Sequence, residues 1–376
     1  MKFKMSKTLA IIGASYLQRP LVERARQMGL RTICFAWAEG AVCRDICDAF
    51  YPISITEKEE ILQVCRQEHI DGVCTIASDV AAPTVAFVAE QMGLTGNSYK
   101  AAVRANNKFA MRNAFMAAGV PCPAYHVCNS ADEMEKVDVQ FPVIVKPTDR
   151  SGSLGITKVT NHKELRKAIT IAVAHSFEHE ALVEQFIEGR EISVEFISYG
   201  GIHYPLQITD KVTTEAPHFV ELAHHQPAEL TEEQYKAIYA LTQKALNALG
   251  VTNGASHSEY KITKEGKIYV MEIGARMGGD FIGSDLVRLS TGYDFVEGVI
   301  QVALGQFEKP VRTLCKYSGV YFLSADTARV KDYIDHKDAY PEIVMAEQTC
   351  ETLRHVNCSS ERSGYFIYQA DHKFKI

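Results

Sequence analysis

From Thr8 to about residue 100 the apolar positions form short runs separated by amphipathic stretches: TLAIIGA, then LVERARQMG closed by Gly29, then RTICFAW, ILQVCRQ and DGVCTIA. Short apolar runs alternating with helix-period segments predict βαβ units on a parallel sheet, an α/β arrangement. The segment ANNKFAMRNAFMAAGVPCP then predicts a helix, because Asn106 or Asn107 can cap its start, Gly119 can end it and Pro121 keeps it from continuing. Lys108 falls in its first turn.

Between residues 141 and 198 the pattern changes to α+β. FPVIVKP and GITKVTN read as strands joined by the loop TDRSGSL, and Asn161 with Glu164 three positions on caps a helix through LRKAITIAV. ALVEQFI and REISVEFIS follow as strands. In the second, Ile192, Val194 and Phe196 alternate with Glu191, Ser193 and Glu195, so one face is apolar and the other acidic. From about 200 to 305 come the strand YPLQITDKV, a long helix through EEQYKAIYALTQKALNALG, a hairpin over 255–274 and a helix around FVEGVIQVAL. Residues 306–376 hold strand-like pieces, SGVYFLSA and SGYFIYQA, and read as a small β-rich cap.

A chain of 376 residues, 47% hydrophobic and 23% charged, is long enough for two or three cores. A net charge of −6 argues against a general nucleic-acid binder and turns attention to small-molecule partners. The ten cysteines are scattered without CxxC pairs, which fits a reducing cytoplasmic setting. The start MKFKMSKTLAIIGAS reads as a first strand and not as a signal peptide, and no apolar stretch approaches the ~18 residues of a membrane span.

The hairpin ASHSEYKITKEGKIYVMEIGARMGG carries the most chemistry. With its turn centred on Glu265 and Gly266, Lys264 faces Lys267 and Glu259 faces Glu272. Carboxylates directly opposite on one face repel, and a divalent cation shared with substrate phosphates would compensate. The plainer alternative is a bulge that sends the two glutamates to opposite faces. Arg276 and the pair Gly278–Gly279 follow at once, offering a fork for oxyanions and a backbone open to close approach.

Lys146 ends a strand ahead of a loop containing Ser151, Gly152, Ser153 and Gly155, whose N–H groups can fold over phosphates. In a P-loop the lysine follows the glycines, so this is a different clamp. In EQFIEGREISVEF the strand edge Glu184, Gln185, Phe186 and Ile187 offers backbone groups to an adenine, and Glu191 offers a carboxylate to ribose hydroxyls. The GAS turn after the first strand lacks GxGxxG and has only Glu39 as a ribose acid, so an NAD-linked oxidoreductase rests on IIGAS alone.

Taken in order, NNK, KPTDRSGSLG, EQFIEGREISVE and the two glutamates ending in EIGAR resemble the ATP-grasp superfamily of carboxylate–amine ligases over residues 8 to about 305. The resemblance implies a Rossmann-like pre-ATP-grasp domain over 1–105, a helix and lid subdomain over 106–188 and a catalytic subdomain over 189–305, followed by the small β-rich cap read over 306–376. It implies that Lys108 and Lys146 contact nucleotide phosphates, Glu184 and Ile187 the adenine, and Glu191 the ribose. Glu259 and Glu272 would hold Mg2+, or Mn2+ in its place, and Arg276 would steady an acyl phosphate. One departure is Gly274, where many members carry Asn. HFVELAHHQPAEL resembles the E-x-G-H-x-x-P stretch of L-amino-acid ligases with Ala223 for the glycine, which nominates His224 beside Glu221; two polar histidines in a surface loop are the plainer reading.

The implied activity is ATP-dependent joining of a carboxylate to an amine through an acyl phosphate, with release of ADP and phosphate. A purine-pathway or carbamoyl-phosphate-type member, and a non-catalytic ATP-binding module, are the alternatives. The expected partners are the small-molecule carboxylate and amine, with no nucleic acid or membrane and with room for a homodimer.

Overall fold

The computed structural model describes residues 6–136, 138, 140–150, 154–214 and 220–376, with the backbone alone at 135 and 136. Strands β1 (Thr8–Ile12), β2 (Arg31–Phe35), β3 (Ala49–Tyr51) and β4 (Gly72–Cys74) form a parallel sheet in the order β3-β2-β1-β4. Its connections include helices α1 (Arg19–Gln27) and α2 (Lys58–Gln67). Both faces are covered, as a parallel sheet requires. One packs Ile61, Leu62, Val88 and Ala89 from α2 and α3 (Ala82–Met92), and the other meets the rest of the molecule.

Helix α4 (Tyr99–Asn106) leads into α5 (Lys108–Ala118). Of the two candidate caps, Asn107 is the one used: its side-chain oxygen accepts the Ala110 N–H at 2.8 Å. Gly119, at φ +63°, ends the helix in the left-handed conformation. A second, antiparallel sheet follows, with β5 (Tyr125–Cys128), β6 (Val143–Pro147), β7 (Thr157–Val159) and β8 (Ala181–Gln185) in the order β5-β8-β6-β7. Its apolar face packs against α6 (His162–His175) through Leu165, Ile169 and Ala172.

The third sheet dominates. Strands β9 (Arg190–Tyr199), β10 (Ile202–Thr213), β11 (Glu221–Gln226), β12 (Gly254–Ile262), β13 (Ile268–Gly274), β14 (Tyr317–Leu323), β15 (Ile343–Gln348) and β16 (Gly364–Ala370) run antiparallel in the order β13-β12-β9-β10-β11-β14-β16-β15. Under β9, β12 and β13 lie α5 and α7 (Glu232–Leu249), the latter started by a Thr231–Gln234 capping box. Helices α8 (Val287–Thr291) and α9 (Phe295–Ala303) follow β13, and α10 (Val330–Asp335) packs on β14–β16. Phe295, Val299 and Ile300 of α9 share one core with Leu9 and Ile11 of β1 and with Ile197 of β9, so the parallel and antiparallel sheets are joined through it.

Two expectations change in detail, and one pattern acquires its setting. On the acidic face of β9, Ser193 and Glu195 are fully buried, because β9 is a central strand covered on both sides. The stretch holding His224 and His225 is not a surface loop but the inner strand β11, paired with β10 and β14. The C-terminal β-rich segment continues the large sheet, with β14 paired to β11.

Phe196 sits where this architecture converges, fully buried on β9 and edge-to-face with Tyr239 of α7. Phe196→Ala is expected to cost roughly 3–5 kcal/mol by leaving a cavity between sheet and helix, read as a lower denaturant midpoint.

Candidate active site

A cavity of about 350 Å3 opens between the four-stranded antiparallel sheet and the large sheet. On the smaller sheet's side, Lys108 is fixed by its place at the start of α5. Its N–H donates to Thr148 O at 2.7 Å, its Nζ to Arg150 O at 2.7 Å, and Nζ stands 3.0 Å from Glu272. One helical turn on, the same face presents Arg112. This fully buried guanidinium donates to Glu184 Oε1 and to Met271 O, each at 2.5 Å. Lys146, at the end of β6, meets the other oxygen of Glu184 at 2.7 Å. Burial alone would raise the Glu184 carboxyl, but Arg112 and Lys146 hold it below its usual range. Burial pulls the Lys146 ammonium down, opposed by Glu184.

On the large sheet's side, Glu259 of β12 does stand directly opposite Glu272 of β13, though by a different route from the one expected. Near the turn the register is one residue shorter, with Ile262 opposite Ile268 and Thr263 N–H bonded to Lys267 O, so Lys264 does not face Lys267. A bulge between Glu259 and Tyr260 then restores the pairing of the two glutamates. The bulge brings the carboxylates onto one face instead of separating them.

The repulsion is relieved by lysines. Lys108 faces Glu272, and Lys211 of β10 lies 2.6 Å from Glu259 and 3.6 Å from Glu221. Burial works against the Lys211 charge, yet Glu259, Glu221 and Glu191 keep it above the usual lysine range. His257, two residues before Glu259, adds a further tie. Its Nδ1 lies 2.5 Å from the buried Glu195 and its Nε2 3.6 Å from Glu259. Burial opposes its protonation, but Glu195 outweighs this and lifts the imidazole to about 9. Glu195 also accepts the Gly278 N–H at 3.2 Å, and a Cβ at Gly278 would come within 2.7 Å of His257 Nδ1.

At the cavity's wall Arg276 donates from Nε and Nη2 to the two oxygens of Asp79, at 2.8 and 2.7 Å. This explains Gly274: a Cβ there would stand 2.6 Å from Asp79 Oδ1 and 3.1 Å from Arg276 Cζ. An asparagine at 274 has no room while that pair is formed. Phe186 and Lys261 line the opposite end, with Lys158 Nζ 3.9 Å from the centre of the Phe186 ring and Lys261 2.8 Å from Glu191.

The strand edge assigned to Glu184 needs correction. β8 is an inner strand, Glu184 pairs with Tyr125 and Ile144, and the N–H groups of Gln185 and Phe186 already donate to Ala124 O and Pro142 O. After Gln185 and Phe186, Ile187 is the next residue of this run, and no backbone carbonyl among the described residues takes its N–H.

Lys108, Lys146, Glu184, Gln185, Phe186 and Ile187 thus line one cavity together with Glu191, Glu259, Glu272 and Arg276. Gly155, at φ +75°, packs against Pro147 and His175 outside its lining. Ser151, Gly152 and Ser153 lie outside the described residues. His224 is buried next to the cavity, opposite Lys211 in the β10–β11 register, with Nε2 3.8 Å from Asp280 and no hydrogen-bond partner for either ring nitrogen among the described residues. His225 points the other way, to Tyr368 OH at 3.0 Å.

Sequence reasoning missed Arg112, Asp79, Lys211, Glu195 and His257. Two signals were present: Lys108 and Arg112 are four apart on one helix face, and His257, Glu259 and Lys261 alternate on one strand face. Asp79 had none, since its partner lies 197 residues away.

Among the described residues no group of three or more His, Cys, Asp or Glu can hold a metal by itself. Two opposed carboxylates beside a polar cavity nonetheless fit Mg2+, which takes one or two protein carboxylates and completes its shell with water and phosphate oxygens. No helix among the described residues is long and apolar enough to cross a membrane.

Residues 139–285 match the family profile of the ATP-grasp domain. Alanine–anticapsin ligase of Bacillus subtilis is 30% identical over 245 residues, covering 59% of this chain and 51% of that protein. D-alanine–D-alanine ligase of Geobacter sulfurreducens is 28% identical over 250 residues, covering 64% and 78%. The crystal structure of L-amino acid ligase from Bacillus licheniformis superposes with a TM-score of 0.81 at 25% identity, over 98% of this chain and 94% of that one. The chain spans about half the length of the first curated relatives it matches.

Burial pushes the His225 imidazole down to about 3, with Lys373 and His224 adding to the effect. An unfolded histidine titrates near 6.5. Stability from this group is therefore full above about pH 6.5 and falls as pH drops toward about 3, because the unfolded chain takes up a proton that the folded one refuses. His225→Gln is expected to make the stability–pH slope shallower in that window, in denaturant titrations run at stepped pH.

Proposed function

We propose, from the premise that this chain carries an ATP-grasp domain over residues 139–285, that it is an ATP- and Mg2+-dependent ligase joining a small carboxylate to an amine. The observation that carries the reading is the pair Glu259 and Glu272, directly opposed on one sheet face inside a cavity that Lys108, Lys146 and Lys211 also line. Such a site is built to take a polyanion together with its cation.

In this reading Lys108 and Lys146 meet the nucleotide phosphates, Lys108 by exchanging its contact with Glu272 for a phosphate oxygen. Glu184, itself held by Arg112, holds Lys146 in place from behind. The base lies against Phe186 and the free N–H of Ile187, and Glu191 accepts from the ribose hydroxyls. Mg2+ held by Glu259 and Glu272 supplies charge neutralisation at the phosphates. Arg276 faces the phosphoryl group in transfer, where a positioned guanidinium is worth most in a site closed to water. The carboxylate attacks that phosphoryl group, ADP leaves, and the amine displaces phosphate from the acyl phosphate. The buried His224 beside the cavity is a candidate contact for the substrates. Ten cysteines scattered without CxxC spacing fit work in a reducing cytoplasm.

The test is to incubate the protein with ATP, Mg2+ and hydroxylamine across amino acids and other small carboxylic acids, measuring ADP, AMP and hydroxamate. ADP and hydroxamate appearing together, only with a carboxylate, are expected; AMP as the nucleotide product would overturn the mechanism. Lys146→Ala is expected to weaken ATP binding by roughly tenfold or more, the value of a charge-assisted contact, whereas Lys163→Ala on α6 leaves it unchanged. Equal affinities would remove Lys146 from the site.

A further inference from the structure

Among the described residues, the parallel-sheet part of the chain contributes Asp79 to the cavity lining. After β4 the chain turns at Ala77, which holds φ +55°, and the Ala77 N–H donates to Met277 O at 3.1 Å. That bond ties the turn to the loop after β13. Two residues on, Asp79 grips Arg276 through both carboxylate oxygens, at 2.8 and 2.7 Å. Gly274 makes the approach possible: a Cβ there would stand 2.6 Å from Asp79 Oδ1. Both side chains of the pair line the cavity and are largely buried, Arg276 at 14% exposure and Asp79 at 15%.

The geometry leaves Arg276 a defined set of donors. Its Nε–Nη2 edge is committed to Asp79, while Nη1 makes only a 3.4 Å bond to Met277 O. A guanidinium gripped along one edge cannot rotate without breaking two charge-assisted bonds, so its Nη1–Nη2 end, with the second N–H of Nη2 and the N–H groups of Nη1, is left to meet an incoming oxyanion. Without the grip, a long arginine side chain would have several rotamers, and orienting it would oppose binding.

We infer that Asp79 is a positioning residue that presets Arg276 for the terminal phosphate of the nucleotide. The inference rests on the reading of this cavity as an ATP site, and deepens it: the domain outside the lid and catalytic sheets fixes the cation at the reacting end.

The experiment uses the full chain and calorimetric binding of two probes with Mg2+, ADP and the non-hydrolysable ATP analogue AMPPNP. Arg276→Met should lose roughly tenfold in affinity for AMPPNP, the value of one charge-assisted contact, and less than about twofold for ADP. Asp79→Asn should show the same selective loss, and the double variant should bind AMPPNP no more weakly than Arg276→Met alone, since residues acting as a unit are not additive. Gly274→Ala, which crowds Asp79 without changing its charge, gives a second route to the same selective loss should Asp79→Asn fold poorly. Wild-type affinity of Asp79→Asn and Gly274→Ala for AMPPNP would overturn the inference. So would losses that multiply in the double variant, or that fall equally on ADP, because they would mark a purely structural ion pair. If Arg276→Met itself binds AMPPNP like the wild type, the role given to Arg276 falls and the inference with it. If the wild type binds neither probe, the functional reading is what fails.

Discussion

Two carboxylates, Glu259 and Glu272, face each other across adjacent strands, and much of the cavity is arranged around that repulsion. Like charges directly opposite in an antiparallel pair destabilise it. The chain meets this with cations from different parts of the fold: Lys108 from the start of α5 and Lys211 from β10, with His257 closing in on Glu259. Each brings its own constraint. Lys108 ties the helix to the loop after β6 through Thr148 and Arg150, and Lys211 is surrounded by Glu259, Glu221 and Glu191. The repulsive pair thus draws the start of α5, the loop after β6 and strand β10 to one point.

The same arrangement gives the cavity its balance. Glu184 is shared by Lys146 and Arg112, Lys261 is set against Glu191, and Arg276 against Asp79. Pairing Lys108, Lys146, Lys211, Lys261 and Arg276 with carboxylates offsets part of the cost of burying their charges. A polyanion arriving with a divalent cation offers both sides of each pair a new partner. Exchange of partners lets such a site bind strongly charged ligands without standing open as a cluster of mutually repelling lysines.

Much of this was legible in the sequence where the signal is local. The cap of α5 at Asn107, the stop at Gly119, the strand ending in Lys146 and the hairpin carrying both glutamates each depend on neighbours within a few residues. The hairpin also shows the limit of such reasoning. Counting from a turn at Glu265–Gly266 gave the right partners for Glu259, yet the chain turns one position earlier and a bulge makes up the difference. A bulge leaves no mark in an alternating pattern, so an inferred pairing can be correct while the register behind it is not.

What could not be read depends on sheet order. Strand β9 shows a clean apolar and acidic alternation, which usually marks one solvated face; its place between β12 and β10 turns that face into a buried polar layer. The alternation was real but its meaning was set by neighbours far along the chain. Glu184 makes the same point, since an inner position in the order β5-β8-β6-β7 takes away its strand edge and leaves its carboxylate to hold Lys146 and Arg112. Gly274 is the converse case: in the sequence it is a departure from the Asn many members carry, but in the fold it is the space into which Asp79 reaches. An absent side chain in a sequence pattern can therefore be the trace of a contact from another domain, and only packing distinguishes that from loss.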